Sequence, residues 1–287
     1  MPGSRFLRTV LSGLLAALPL LVLPLAPAGA QPAEEVPFVV SPDNVTLEML
    51  RLAGIGPGDH LIDLGSGDGR IVIVAAQRFG ATGLGVEIVP ELVERSLRSA
   101  REAGVADRVA FRVQDLFATD LSPASVVTLY LLPEFNLQLR PRLLQLKPGT
   151  RVVSHDWDMG DWTPDRTTVV AVPDKKVGLE KSSRIHLWTV PARVEGLWCG
   201  TGLLQGSSLR LAQRYQVFEG TLLHRGRERP LQGRVEGATV RTVAGRYGEL
   251  ALTLAGDELR LASAEGVLAL AKGTTFRRST AASCASG

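Results

Sequence analysis

Asp63 ends an apolar run at residues 60–64, and Gly65, Gly67 and Gly69 follow it at alternate positions before a helix-like stretch. Glycine tolerates positive φ and lets a ligand approach the backbone closely. A glycine-rich turn between strand and helix also aims free N–H groups, and the positive end of a helix dipole, at whatever binds there. The spacing narrows the ligand. In a dinucleotide loop, G-x-G-x-x-G, the third glycine would fall at position 70, which is Arg70. A phosphate loop needs Gly-Lys-Ser/Thr, and no lysine follows these glycines. An acid at the head of the loop would repel a pyrophosphate and attract a cationic group. The amino group and sulfonium of S-adenosylmethionine meet that demand; an ordinary glycine-rich α/β turn is the plain alternative.

Two further acids stand in register with this loop. Glu87 ends the stretch 82–87, 24 residues after Asp63. A carboxylate there can accept hydrogen bonds from both ribose hydroxyls, the geometry that places an acid about 20 residues after a dinucleotide loop. Asp115 follows the stretch 108–113 and suits the exocyclic amine of adenine, with Leu116 and Phe117 offering apolar contact to the ring. One acid at a strand end is normally a solvated terminus; three beside a glycine loop outline a nucleoside crevice. The expected cofactor is S-adenosyl-L-methionine, bound by Asp63, Gly65, Ser66, Gly67, Gly69, Glu87, Asp115 and Leu116.

Methyl transfer from a sulfonium is an in-line displacement in which the cofactor already carries its leaving group. The protein must align the acceptor, exclude water and supply a base where the acceptor is protonated. Catalytic candidates at two further strand ends are Tyr130, His155 and Asp156, with Asp158 beside them, in LYLLPEF and SHDWDMGDW. For His155 a base role stands beside that of a strand-end residue satisfied by backbone. Trp157 and Trp162 either wall an acceptor pocket or cap the core. His155-Asp156-x-Asp158 lacks a second histidine or a nearby cysteine, so no metal is expected.

Such residues need a scaffold of alternating strands and helices. The pattern gives strands near 60–64, 82–87, 108–113, 125–132 and 150–155, and helices near 42–53, 69–79, 90–103 and 134–146. Continuously apolar strands such as SVVTLYLL indicate a parallel sheet buried on both faces. The fold class is therefore α/β, a doubly wound sheet with its ligand at the carboxyl ends of the strands. TTVVAV and RIHLWTV have no helix between them and read as an antiparallel hairpin near 167–190 that closes the sheet. From about Arg193 short alternating strands with glycine turns take over, as in Leu250, Leu252 and Leu254, then Gly256-Asp257, then Leu259 and Leu261. They form a small all-β meander domain, a barrel or a sandwich.

The chain has 287 residues, and its first 30 differ from the rest: Arg5 and Arg8 precede an apolar stretch from Val10 to Leu25, and Ala28-Gly29-Ala30 follows as an A-x-A cleavage site. That is the pattern of a cleaved signal peptide, which implies a periplasmic or secreted protein; an uncleaved N-terminal anchor is the alternative. The division is signal peptide 1–30, α/β domain 31–192, β meander 193–278 and disordered tail 279–287. Without Arg5 and Arg8 the formal charge falls from +3 to +1, so no nucleic-acid partner is expected. Nor is stable membrane insertion once the signal is removed, and the oligomeric state is open. Cys199 and Cys284 either pair in an oxidising compartment or remain two thiols.

The segment from Val36 to Trp162 resembles class I S-adenosylmethionine-dependent methyltransferases. It is similar to the group containing the ATP synthase c-subunit lysine methyltransferases and their bacterial relatives. Asp63 to Val72 matches that group's loop D-L-G-S-G-D-G-R-I-V in full, Asp115-Leu116-Phe117 its D-L-[WF], and LYLLPE its apolar strand ending in L-x-P. The group's opening motif stands as Phe38-Val39-Val40-Ser41, with Val40 in place of proline. The resemblance implies a seven-stranded methyltransferase sheet whose last two strands are the hairpin. It also implies methyl transfer to a protein, with lysine as an extrapolation, or to a small molecule. The lysine-specific relatives are membrane-attached mitochondrial enzymes without a C-terminal β meander, whereas this chain carries an export signal. An exported, non-catalytic binding protein that retains the fold is the second functional reading.

Overall fold

The computed structural model describes residues 39–175, 180–243 and 248–284. The expected export signal and Phe38 lie outside the described residues. Seven strands form one sheet in the order β3-β2-β1-β4-β5-β7-β6. β1 (His60–Leu64), β2 (Thr82–Glu87), β3 (Val109–Val113), β4 (Val126–Leu129) and β5 (Arg151–His155) are parallel. β7 (Ser182–Thr189) is antiparallel to both β5 and β6 (Arg166–Ala171), so the hairpin closes the sheet as expected. The strand order reverses between β1 and β4, and that opens a crevice beyond their carboxyl ends.

Helices α1 (Asp43–Ala53), α2 (Arg70–Phe79) and α3 (Pro90–Glu102) all pack on one face. Their apolar stripes meet Leu61, Val126, Val153 and Ile185 in a single core. α1 and α2 end at Gly54 and Gly80, both left-handed, and α3 begins with Pro90 at its first turn. The opposite face is more sparsely covered: among the described residues α4 (Pro133–Leu143) is the one α-helix there. Pro133 opens that helix and Pro141 sits inside its last turn, so it stops short of the expected residue 146. The rest of this face is covered by Met159, Trp162, Trp188 and Tyr215.

Tyr215 belongs to the second sheet. Strands β8 (Gly196–Gly200) through β15 (Thr275–Ser279) close into an eight-stranded antiparallel barrel, which decides between barrel and sandwich. Its interior is filled by Trp198, Leu209, Phe218, Leu222, Leu252, Leu259 and Phe276. The Leu250–Ala255 and Glu258–Ala264 strands pair across Gly256-Asp257, as their alternation predicts. Cys199 and Cys284 form a disulfide with a Cα–Cα distance of 5.5 Å. The tail, expected to be disordered from 279, is therefore tied to the barrel at Cys284.

The turn between β9 (Ser208–Arg214) and β10 (Val217–His224) clasps the segment that follows β5. Tyr215 stacks on Trp162 with centroids 6.1 Å apart, and its hydroxyl donates to Asp161 at 3.0 Å. Arg214 pairs with the same carboxylate at 2.8 Å, joined by Arg140 from α4. Gln216 donates to the Thr163 carbonyl at 2.6 Å, and Arg234 pairs with Asp165 at 2.7 Å.

Candidate active site at the carboxyl ends of the strands

The glycine loop leaves β1 and enters α2 with Gly65, Gly67 and Gly69 at φ 75°, 53° and 77°. All three lie in the region that favours glycine, and this is what the alternation encodes. A side chain at Gly69 would also meet the Phe111 ring at 2.7 Å. The turn is fastened to β2, since the amides of Gly65 and Ser66 both donate to the Val86 carbonyl at 2.9 Å. Asp68 and Arg70 pair at 2.7 Å, and Arg70 reaches on to the Ser41 carbonyl at 3.0 Å, which ties the loop to the segment before α1.

Asp63 is buried beneath this turn, where Thr128 of β4 donates to it at 2.7 Å. Burial pushes its carboxyl up to about 7; the Thr128 hydrogen bond pulls against that, and the neighbouring Glu87 and Asp68 charges add to it. Glu87 ends β2 half-buried, with one oxygen accepting from the Gly67 amide at 3.0 Å and the other from Ile88 and Val89 at 2.8 and 3.1 Å. Asp115 is exposed and caps a short 3-10 turn by accepting from the Phe117 amide at 2.8 Å; Leu116 and Phe117 are half-buried beside it. The sequence-derived cofactor set thus converges on one crevice. The buried Ser66 hydroxyl has no hydrogen-bond partner among the described residues. A turn with glycine at alternate positions, an orphaned hydroxyl and acids at or just after three strand ends fit a nucleoside ligand with a cationic arm.

The acceptor side is built at the ends of β4 and β5. Tyr130 stacks on His155 with ring centroids 3.9 Å apart. Burial raises the Tyr130 phenol above its ordinary value, and the Asp156 charge adds to this. His155 is only 1% exposed, and both ring nitrogens are engaged by hydroxyls, Ser41 at 2.9 Å and Ser183 at 2.8 Å. Burial pushes its pKa down to about 4, with Asp156 opposing and Lys175 reinforcing the shift. A neutral imidazole with both nitrogens occupied serves as a platform for Tyr130 and has no free atom to take a proton.

Asp156 adopts φ 64°, tolerable for aspartate, and accepts from the Arg184 amide at 2.9 Å. Its other oxygen holds the Lys175 ammonium at 2.8 Å. Asp158 instead accepts from the Gly160 amide at 3.0 Å. Trp162 is fully buried and caps the core, whereas Trp157 is 41% exposed beside the site. Sequence reasoning missed Thr128, Ser41, Ser183 and Lys175. Ser41 carried a signal through the opening motif; the others are partners across strands that periodicity does not register.

The family model for the ANTKMT methyltransferase domain matches residues 63–166. A protein-lysine N-methyltransferase of Saccharolobus islandicus is 41% identical over 141 residues, which cover 48% of this chain and 86% of that protein. The human lysine N-methyltransferase of the ATP synthase c-subunit is 35% identical over 134 residues, covering 46% of this chain and 57% of its own length. Among solved structures, an RNA methyltransferase from Salinibacter ruber in complex with S-adenosyl-L-homocysteine is 54% identical, covers 54% of this chain and 96% of its own, and gives a TM-score of 0.49. None of these matches covers more than 54% of the chain. The Saccharolobus islandicus relative, matched over 86% of its length, supports one conclusion with the crevice above: the chain belongs to the ANTKMT-type family of S-adenosylmethionine-dependent methyltransferases.

Proposed function

We propose that this methyltransferase acts on the side-chain amine of lysine in a protein acceptor. One observation carries the reading: Asp156, beside Tyr130 at the end of β5, already holds a lysine ammonium at 2.8 Å. That ammonium is the chain's own Lys175, and the carboxylate that pairs with it supplies the negative charge into which an acceptor ammonium would exchange. The naming of the Saccharolobus islandicus relative as a protein-lysine methyltransferase supports it. A small-molecule acceptor is the less favoured outcome, because the relatives named above are protein-lysine and ATP synthase c-subunit lysine methyltransferases.

In this reading Gly65, Ser66, Gly67 and Gly69 line the cofactor's amino-acid end, and Asp63 faces its ammonium. Glu87 holds the ribose, and Asp115 and Leu116 hold the adenine. When bound, the cofactor supplies an electrophilic methyl on a positively charged sulfur. Tyr130, fixed on His155, orients the acceptor nitrogen, and Asp156 draws the ammonium in and accepts its proton. The first 30 residues direct export and are then removed, while residues 31–192 carry the transfer and residues 193–278 brace it. Incubation of the chain with methyl-labelled S-adenosylmethionine and a lysate of the source organism tests the acceptor class. Label in the protein fraction, lost with Glu87→Ala, supports the reading; label only in small molecules overturns it.

A further inference from the structure

One end of the barrel leaves apolar and basic side chains in solvent at all four of its connections. The register brings residues 201–207, 225–226, 243–249 and 265–274 to that end, since Cys199 faces Ser208, His224 faces Arg227 and Leu250 faces Ala264. The opposite end carries Tyr215 and Gln216, which hold the segment after β5. The outer end is tied together across its connections. Ser207 and the buried His224 hydrogen-bond at 2.8 Å, the Thr201 hydroxyl donates to the Thr275 carbonyl at 3.0 Å, and the Glu265 side chain fills the space beside Gly248.

Two of these connections contain 3-10 turns that divide neighbouring apolar residues. At Gly202–Leu204, Leu204 joins the barrel core while Leu203 stands 72% exposed. At Gly266–Ala271, Leu268 and Ala271 join the core while Leu270 stands 83% exposed. These two leucines are the most exposed large apolar side chains among the described residues, and Val243, at a third connection, is 58% exposed. The barrel interior is already filled, so none of the three is needed for packing. A lone surface hydrophobic is ordinary, but three on the tips of one rigid end call for a partner.

Charge indicates which partner. Residues 193–278 hold 13 arginines and lysines against eight acids, a net +5, whereas residues 31–192 hold 17 against 21, a net −4. On the outer end Arg225, Arg227 and Lys272 are exposed, against Glu228 and Glu265. Glu249 is taken by Arg241 at 3.6 Å. Burial, then the Arg225 and Arg229 charges, hold the His224 imidazole below its ordinary value, so the local field is positive.

We propose that this end of the barrel is a docking surface for an anionic lipid bilayer. Leu203, Val243 and Leu270 enter the acyl boundary, and Arg225, Arg227 and Lys272 meet the lipid phosphates. A protein partner would want a continuous complementary patch of about 800 Å² per side. A fluid interface closes around separate apolar tips, and its anionic headgroups attract the cations on the same rim. The contact is peripheral, since no described helix is long and apolar enough to cross a membrane. It is independent of what the active site methylates.

The test uses the chain from Gln31, which keeps the compact unit Val39–Gly287 and lacks the apolar stretch Val10–Leu25 that would bind lipid by itself. Co-sedimentation is measured with vesicles of equimolar phosphatidylcholine and phosphatidylglycerol, with phosphatidylcholine vesicles, and without vesicles. The expected result is binding to the mixed vesicles that weakens as salt is added. Partitioning should fall by about 100-fold in Leu203→Ser with Leu270→Ser, and by about 30-fold in Arg225→Gln with Arg227→Gln. It should not change in Val217→Ser, at the other end of the barrel. Every substituted side chain is exposed, so melting temperatures should stay at the wild-type value and show that each variant folds. No binding, binding indifferent to phosphatidylglycerol, or equal binding by the leucine pair overturns the inference. Sedimentation without vesicles that the leucine pair abolishes assigns the surface to a second copy of the chain and overturns it as well.

Discussion

Replacing Glu87 by alanine should weaken cofactor binding by about tenfold to 150-fold. Its carboxylate accepts three backbone N–H groups, from Gly67, Ile88 and Val89 at 2.8 to 3.1 Å. These bonds fasten the glycine loop to β2 and leave one of the carboxylate's roughly four acceptor sites for a ligand. A charge-assisted hydrogen bond is worth roughly 1.5–3 kcal/mol, which converts to that range of dissociation constants. The three N–H groups turn to water in the free variant, so its melting temperature should move little. Asp115→Ala should cost less, because Asp115 is exposed and one oxygen is already committed to the Phe117 amide at 2.8 Å. Calorimetric titration of the full chain with S-adenosylmethionine measures all three proteins. Unchanged affinity in Glu87→Ala, with wild-type binding intact, would refute the ribose assignment and the pose built on it.

Asp63 supplies a pH test. Burial raises its carboxyl from 3.8 to about 7, so in that window the folded protein keeps a proton that the unfolded chain has lost. Its contribution to stability is thus fully present at low pH and is lost as pH rises through about 7, whereas a cationic ligand group needs the ionised form. Cofactor affinity should therefore fall on acidification from about pH 8 to about pH 6, and Asp63→Asn should flatten that dependence. Tyr215→Ala should lower stability by roughly 1–3 kcal/mol in chemical denaturation, since it uncovers Trp162 in the core; an unchanged midpoint would mean that the barrel turn is not a brace. Reduction of the Cys199–Cys284 bond reopens a loop with a sequence separation of 85. On chain-entropy grounds it should destabilise the barrel by about 2–5 kcal/mol, visible as a lower melting temperature in reductant. Protein isolated from its native host should begin at Gln31 by intact mass; a species that retains Met1 or Pro2 would count against export with cleavage.

The cofactor crevice was legible because its determinants are local. Gly65, Gly67 and Gly69 must adopt positive φ within a single short turn, and Asp63, Glu87 and Asp115 each end or follow a strand recognisable from its own apolar run. The strand–helix alternation likewise fixed the order of elements from Asp43 to Thr189. What was hidden depends on distant partners. Ser41 and Ser183 are 114 and 28 residues from His155 in sequence, and only folding shows that they occupy both of its ring nitrogens. The sparse helical cover on the second face was also hidden. Nothing in Tyr215 announces that it will stack on Trp162, far away in sequence, so a barrel that reads as a separate unit turns out to share a core with the sheet. The pairing of Cys199 with Cys284 was left open for the same reason: the intervening barrel, and not any local signal, brings the two sulfurs together.

The most direct test of lysine-directed methyl transfer is the chemical identity of the methylated product. Protein labelled by the full chain from heavy-methyl S-adenosylmethionine would be hydrolysed to amino acids in strong acid and resolved by mass. The expected result is heavy methyl on the ε-nitrogen of lysine, in mono-, di- or trimethylated form, and none when Asp156→Asn or Glu87→Ala is used. Heavy methyl recovered on arginine, histidine or glutamine, or released from the intact protein by mild base as a carboxyl ester, would contradict the account.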